Sequence, residues 1–172
     1  MKTILSISML TGLIFLVHND FLFAQNEGKD ALDQLAQHYL GKWNGEGTTP
    51  DDIKFKSNLN FEWTLNEHFL IVKNDVSISG TSELAAVTYY GWQPVLKQIT
   101  FWSFDKDGTF GEGVATLEDN TLKHNWRSFS SNGEIKDWES SLTLVGSTEL
   151  VFAIQDNKSL ETYMITYKKT KN

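Results

Sequence analysis

From Gly41 to Lys169 apolar and polar residues alternate with a period of two, and Asn, Asp, Gly and Ser break the alternation at intervals. Successive side chains of a strand point to opposite faces, so this pattern specifies strands with one face in a core and the other in water. Residues 53–63 show it most clearly. Ile53, Phe55, Leu59, Phe61 and Trp63 fall on one side, and Lys54, Lys56, Asn58, Asn60 and Glu62 on the other. Further runs follow at residues 67–79, 84–92, 97–104, 109–117, 121–130, 134–144, 148–155 and 160–169. Asp107-Gly108, Asp119-Asn120, Asn132-Gly133 and Asp156-Asn157 separate several of them and read as hairpin turns.

With the strand around Trp43 this makes about ten strands, joined by connections too short for crossover helices, so neighbours in sequence must pair antiparallel. A sheet of that size either splits into two layers or closes. The unbroken hairpin order favours an all-β, up-and-down antiparallel barrel over a sandwich. Ahead of the strands, Asp30 reads as the cap of a short helix running to about Leu40, with Leu32, Leu35, Ala36, Tyr39 and Leu40 on one face. Such a helix most simply packs over one end of the barrel. Its polar face is acidic, which argues against a membrane-surface helix.

The N-terminus has the form of a secretory signal: Lys2, a mostly apolar stretch from Ile4 to Val17, then Leu22-Phe23-Ala24. His18, Asn19 and Asp20 interrupt the apolar run short of the roughly 20 residues that span a bilayer. The expected organisation is therefore a signal peptide over 1–24 and one lipocalin-like barrel domain over 25–172. The expected fate is export, periplasmic or secreted, with no stable membrane anchor. A domain of about 150 residues buries enough surface to fold without staples, and the chain has no cysteine for a disulfide, a thiolate metal site or a lipid tether. The net charge of −7 repels phosphate backbones, so nucleic acid is excluded as a partner. The basic cluster Lys168, Lys169 and Lys171 reads as a solvated tail.

Gly41-Lys42-Trp43-Asn44-Gly45-Glu46-Gly47 resembles the opening-strand Gly-x-Trp of the calycin superfamily, which comprises lipocalins, fatty-acid-binding proteins and nitrobindins. Tyr90-Gly91-Trp92-Gln93-Pro94, Lys97-Gln98-Ile99, Trp102-Ser103-Phe104-Asp105 and Gly108-Thr109-Phe110-Gly111-Glu112-Gly113 extend the likeness to a lipocalin-like domain of unknown function found in exported bacterial proteins. The resemblance implies a calycin-type barrel in which Trp43 seals one end, with Lys168 or Lys169 standing where lipocalins place an Arg over that ring. Nitrobindins bind haem through a histidine late in the barrel. No histidine follows His124 here, so the resemblance carries no haem ligand, and no cofactor is expected.

Aromatic residues are concentrated in the strands, and Trp and Tyr suit a lumen that grips an apolar molecule while a polar tip orients it. A core packed solid is the alternative. Trp102 and Phe104 share one strand face, and Trp126 shares another with His124 and Ser128. Glu112, between Gly111 and Gly113, is either a lumen carboxylate or an outward residue on a strand that its glycines allow to bend. His38, His68 and His124 show no metal-ligand spacing, so no metal is expected. Asp105-Lys106-Asp107-Gly108 lacks the later ligands of a calcium loop and reads as a turn.

No constellation makes a convincing catalytic site, and an enzyme is the less favoured reading. The expectation is a barrel that binds a small hydrophobic molecule, with Trp63, Trp102, Phe104 and Trp126 as walls and His124 or Glu112 orienting it. Two alternatives stand: an isomerase or hydrolase using Glu112 with His124 or Arg127 in the lumen, and an envelope interaction module with a filled barrel. The oligomeric state is not legible.

Overall fold

The computed structural model describes residues 27–49, 52–160 and 162–170, and the expected signal peptide with its cleavage site lies outside them. Helix α1 covers residues 27–39. Ten strands follow: β1 (Gly41–Thr48), β2 (Lys54–Thr64), β3 (Phe69–Ile78), β4 (Thr81–Gln93), β5 (Gln98–Asp105), β6 (Phe110–Glu118), β7 (Thr121–Phe129), β8 (Ile135–Val145), β9 (Glu149–Asp156) and β10 (Thr162–Lys169). Each pairs antiparallel with its neighbours in sequence, and β10 closes on β1 through Gly45↔Tyr167 and Trp43↔Lys169. The alternation thus produces a closed up-and-down barrel, and the sandwich is excluded.

The turns form where their residues permit a left-handed backbone. Gly108 and Gly133 each have φ of 84°, and Asp119 has φ of 51°. The last hairpin tightens because the Asp156 carboxylate accepts from the backbone N–H groups of Lys158 and Ser159, at 2.7 and 3.1 Å. One irregularity lies within a strand pair: the β3–β4 register shifts between Asn74 and Asp75, which leaves Ala85 bulged and its carbonyl accepting from the Lys106 N–H.

Asp30 lies inside α1 and does not cap it, because the helix already covers residue 27. The apolar face is otherwise as the spacing predicts, with Leu32, Leu35, Ala36 and Tyr39 buried. This face covers the barrel end bounded by the 65–68, 94–97 and 119–120 turns. Lys29 reaches Glu67 at 3.7 Å, Glu27 reaches Lys97 at 3.5 Å, and the Lys29 ammonium stands 4.9 Å over the Trp63 ring. Beneath the helix lies the main core, in which Trp43, Phe61, Leu70, Leu122, Leu142 and Leu150 are buried together.

One hydroxyl locks α1 onto this core. Tyr39 Oη donates to the Leu142 carbonyl at 2.8 Å and accepts from the Leu122 N–H at 3.1 Å, spanning two residues paired across β7 and β8. Burial pushes the phenol's pKa up to about 12, so the group stays neutral and keeps both bonds. Tyr39→Phe removes the oxygen without leaving a cavity and strands a buried donor and acceptor. The variant is expected to lose about 1–3 kcal/mol of stability, read from the urea midpoint at unchanged slope.

Candidate functional site

Register assigns the faces of the strands, because residues paired across neighbouring strands share a face. Leu70, Tyr90, Phe101, Gly113, Trp126 and Trp138 are paired in succession from β3 to β8 and point inward. The adjacent row, Ile71, Tyr89, Trp102, Glu112, Arg127 and Asp137, therefore points outward.

The inward face lines a half-open void of about 230 Å³. Its apolar wall includes Leu59, Val72, Phe101 and Phe152. Around it run neutral polar groups in hydrogen-bonded sets. Ser57 Oγ, itself buried, donates to Asn74 Oδ1 at 2.8 Å and lies 3.0 Å from Tyr167 Oη, while Thr88 Oγ1 donates to Ser103 Oγ at 3.1 Å. Tyr90 Oη lies 3.0 Å from His124 Nε2, and the Phe101 ring meets the imidazole edge-on at 5.1 Å.

His124 is 5% exposed and belongs to the wall of this void. Burial holds its pKa down at about 4, so the ring is neutral at pH 7; the Ser140 backbone offsets this a little without making a well-formed hydrogen bond. Nδ1 has no hydrogen-bond partner, and neither has the buried Nε1 of Trp126. The Trp126 indole stacks on Trp138 at 5.7 Å and 20°, and Trp138 Nε1 donates to Ser128 Oγ at 2.9 Å. Room for the β7 backbone at Trp126 comes from across the sheet. A Cβ on Gly113 would lie 2.4 Å from Trp126 Cβ and 2.3 Å from the Asn125 carbonyl oxygen, so only glycine fits there.

Of the residues singled out from the sequence, the structure brings His124 and Trp126 to the void. Trp63 faces inward but lies at the helix-covered end, under Lys29, and is not part of the void's wall. Three expectations are corrected. Trp102 and Phe104 face outward, Phe104 being 49% exposed, and Glu112 is exposed on the same side. Trp102, Glu112 and Arg127 line a larger, open concavity of about 690 Å³ outside the barrel, where Arg127 Nε donates to Asp137 Oδ1 at 2.7 Å. Glu112 and His124 are on opposite faces of the sheet, which removes the catalytic pair the sequence left open. Arg127 is committed to Asp137, which holds that carboxyl below the usual range. Phe104, Phe110, Phe129 and Ile135 form an apolar row across the outer face of β5 to β8.

Trp43 is fully buried beneath α1, with Nε1 donating to the Tyr39 carbonyl at 2.8 Å and the Lys169 ammonium 4.9 Å over its ring. Of the other histidines, His38 lies on α1 with Nδ1 2.7 Å from the Gln34 carbonyl, and His68 is exposed in the turn before β3. The sequence reading missed Tyr90, Phe101, Asn74, Ser140 and Tyr167 as residues of the void. Pairing across the Asp119-Asn120 turn already ties Trp126 to Gly113, and carrying the pairing one strand further reaches Phe101.

Neither a family model nor a curated protein matches this sequence. Among solved structures the chain is similar to Rv2717c from M. tuberculosis, with a TM-score of 0.58 and 15% identity over 83% of this chain and 98% of that one. The likeness is one of fold. Two redesigned β barrels are also matched: mFAP1 bound to DFHBI, with a TM-score of 0.41, 15% identity and coverage of 78% of this chain and 97% of that one, and b11L5F_LGL, with 0.43, 15%, 80% and 95%. At those scores nothing carries over to this chain.

His124 makes the fold sensitive to acid. Its folded pKa lies below its unfolded value, so it costs nothing above about pH 6.5. As pH falls from there the unfolded chain takes up a proton that the fold refuses, and stability drops until about pH 4. The wild type is expected to lose roughly 3 kcal/mol more than His124→Asn between pH 7 and pH 4. Denaturant titrations across that range check it, and parallel curves for the two proteins would contradict it.

Proposed function

We propose that this chain is an exported, calycin-like barrel whose lumen binds a small, largely apolar molecule. The signal-like N-terminus supports export, and the Gly41-Lys42-Trp43 opening with Lys169 over the indole supports the calycin kinship. The observation that carries the binding reading is the void itself: the inward face is lined by aromatic and aliphatic groups with convergent polar ones, yet the barrel is not filled. Closely packed interiors hold few voids larger than a water molecule. An apolar cavity of about 150 Å³ accommodates benzene, so about 230 Å³ suits a one-ring molecule with a short substituent. The outer concavity is larger but more open to solvent and walled by the Arg127–Asp137 ion pair, so it offers an apolar ligand less burial.

A panel of small aromatic and aliphatic compounds tests this through tryptophan emission and melting temperature. A member that binds the folded state is expected to perturb the Trp126–Trp138 pair and raise the melting temperature in a saturable way, by about 2.7 kcal/mol of stability at a hundredfold excess over Kd. Ala86→Phe, which puts a ring into the void, is expected to abolish that response while leaving the protein folded. No saturable response from any member would refute the reading.

A further inference from the structure

We infer that the lumen selects uncharged molecules carrying a hydrogen-bond acceptor and rejects anionic ones. This rests on the lumen being a ligand site and goes on to name the chemistry it takes. The first ground is charge. Among the described residues that line the void there is no Lys, Arg, Asp or Glu. The phenols of Tyr90 and Tyr167 are held neutral by burial, and the imidazole of His124 is neutral for the same reason. A carboxylate entering this space would leave water without a cation to meet it, which is among the most unfavourable transfers a protein interior can impose.

The second ground is an excess of donors. Tyr90 Oη and His124 Nε2 are 3.0 Å apart, and two proton arrangements satisfy that contact. If Nε2 donates, the Tyr90 hydroxyl proton and the Nδ1 lone pair both go unmet. If the hydroxyl donates to Nε2, only the Nδ1–H is left over. The second arrangement strands fewer buried groups, so the network assigns the proton to Nδ1. Trp126 Nε1 is a donor in any state and is also unpartnered. Trp126 Nε1–H thus awaits an acceptor outright, while the His124 Nδ1–H two residues away on β7 has only the Ser140 backbone beside it and is incompletely met; both side chains belong to the void's wall. A ketone, ester, amide or ether oxygen on an otherwise apolar molecule supplies an acceptor; a hydrocarbon does not.

Three probes of nearly one shape separate these terms: acetophenone, isopropylbenzene and benzoate. Titrations of the protein with ¹⁵N-labelled indoles, with the Trp126 resonance assigned from Trp126→Phe, give affinities and the site together. Acetophenone is expected to bind at least tenfold more tightly than isopropylbenzene and to shift the Trp126 indole resonance, with benzoate giving no saturation at pH 7. In Trp126→Phe the advantage of acetophenone should disappear while isopropylbenzene binds as before; if that variant does not fold, the wild-type ranking decides. Equal affinities for acetophenone and isopropylbenzene, or benzoate binding as tightly as acetophenone, would overturn the selectivity and leave the lumen a ligand site. If none of the three saturates while other members of the panel do, the selectivity is likewise overturned. If nothing saturates at all, the ligand site itself is lost.

Discussion

Trp43 is where the two ends of the barrel sequence are joined. Its strand pairs with β10 on one side and β2 on the other, its indole donates to the last turn of α1, and Lys169 covers its ring. A barrel has no free sheet edge only if its first and last strands meet in register. A bulky side chain at the seam, fully buried between helix, floor and last strand, gives that meeting a hydrophobic reward as well as a ladder of hydrogen bonds. The covered end, the inward face of every strand and the void above the floor all follow from this closure.

The interior is layered along the barrel axis. Under α1 it is apolar, with Leu35, Leu70, Leu122 and Leu150 wholly buried. Above that comes a belt of neutral polar groups, in which Ser57, Asn74 and Tyr167 join Tyr90 and His124 around the space. The floor supplies stability, and the belt leaves its hydrogen bonds incompletely met. Unmet buried groups are tolerated where something other than core stability is served.

The strands and turns were legible in the sequence because they depend on local chemistry. The period-two run through Phe55, Leu59, Phe61 and Trp63 marks β2, and Asp107-Gly108 and Asn132-Gly133 mark hairpins that form at those positions. The helix start was less legible, because Asp30 has the chemistry of a cap but sits within a longer helix. The faces were misread where two aromatic rows competed. Trp102 and Phe104 look like a wall, yet the register across β5, β6 and β7 puts Trp102 beside Glu112 and Arg127, opposite to Trp126. Parity carried across the Asp107-Gly108 and Asp119-Asn120 turns contains that answer, whereas composition does not. The void and its unpartnered nitrogens depend on how all ten strands close, so no window of the sequence displays them.

Gly113 and Trp126 divide one space between them across β6 and β7, the smallest side chain facing the largest. Neither is free to drift, since any Cβ at 113 drives into the indole's own backbone, while a smaller residue at 126 would open the wall onto the outer concavity that this indole also borders. Gly113 is therefore fixed whatever stands at 126, because its clash is with the β7 backbone and not with the ring. Among descendants of this barrel, the volume and selectivity of the interior should diverge at other positions of the wall, with this glycine held as constant as the seam and the helix-covered floor.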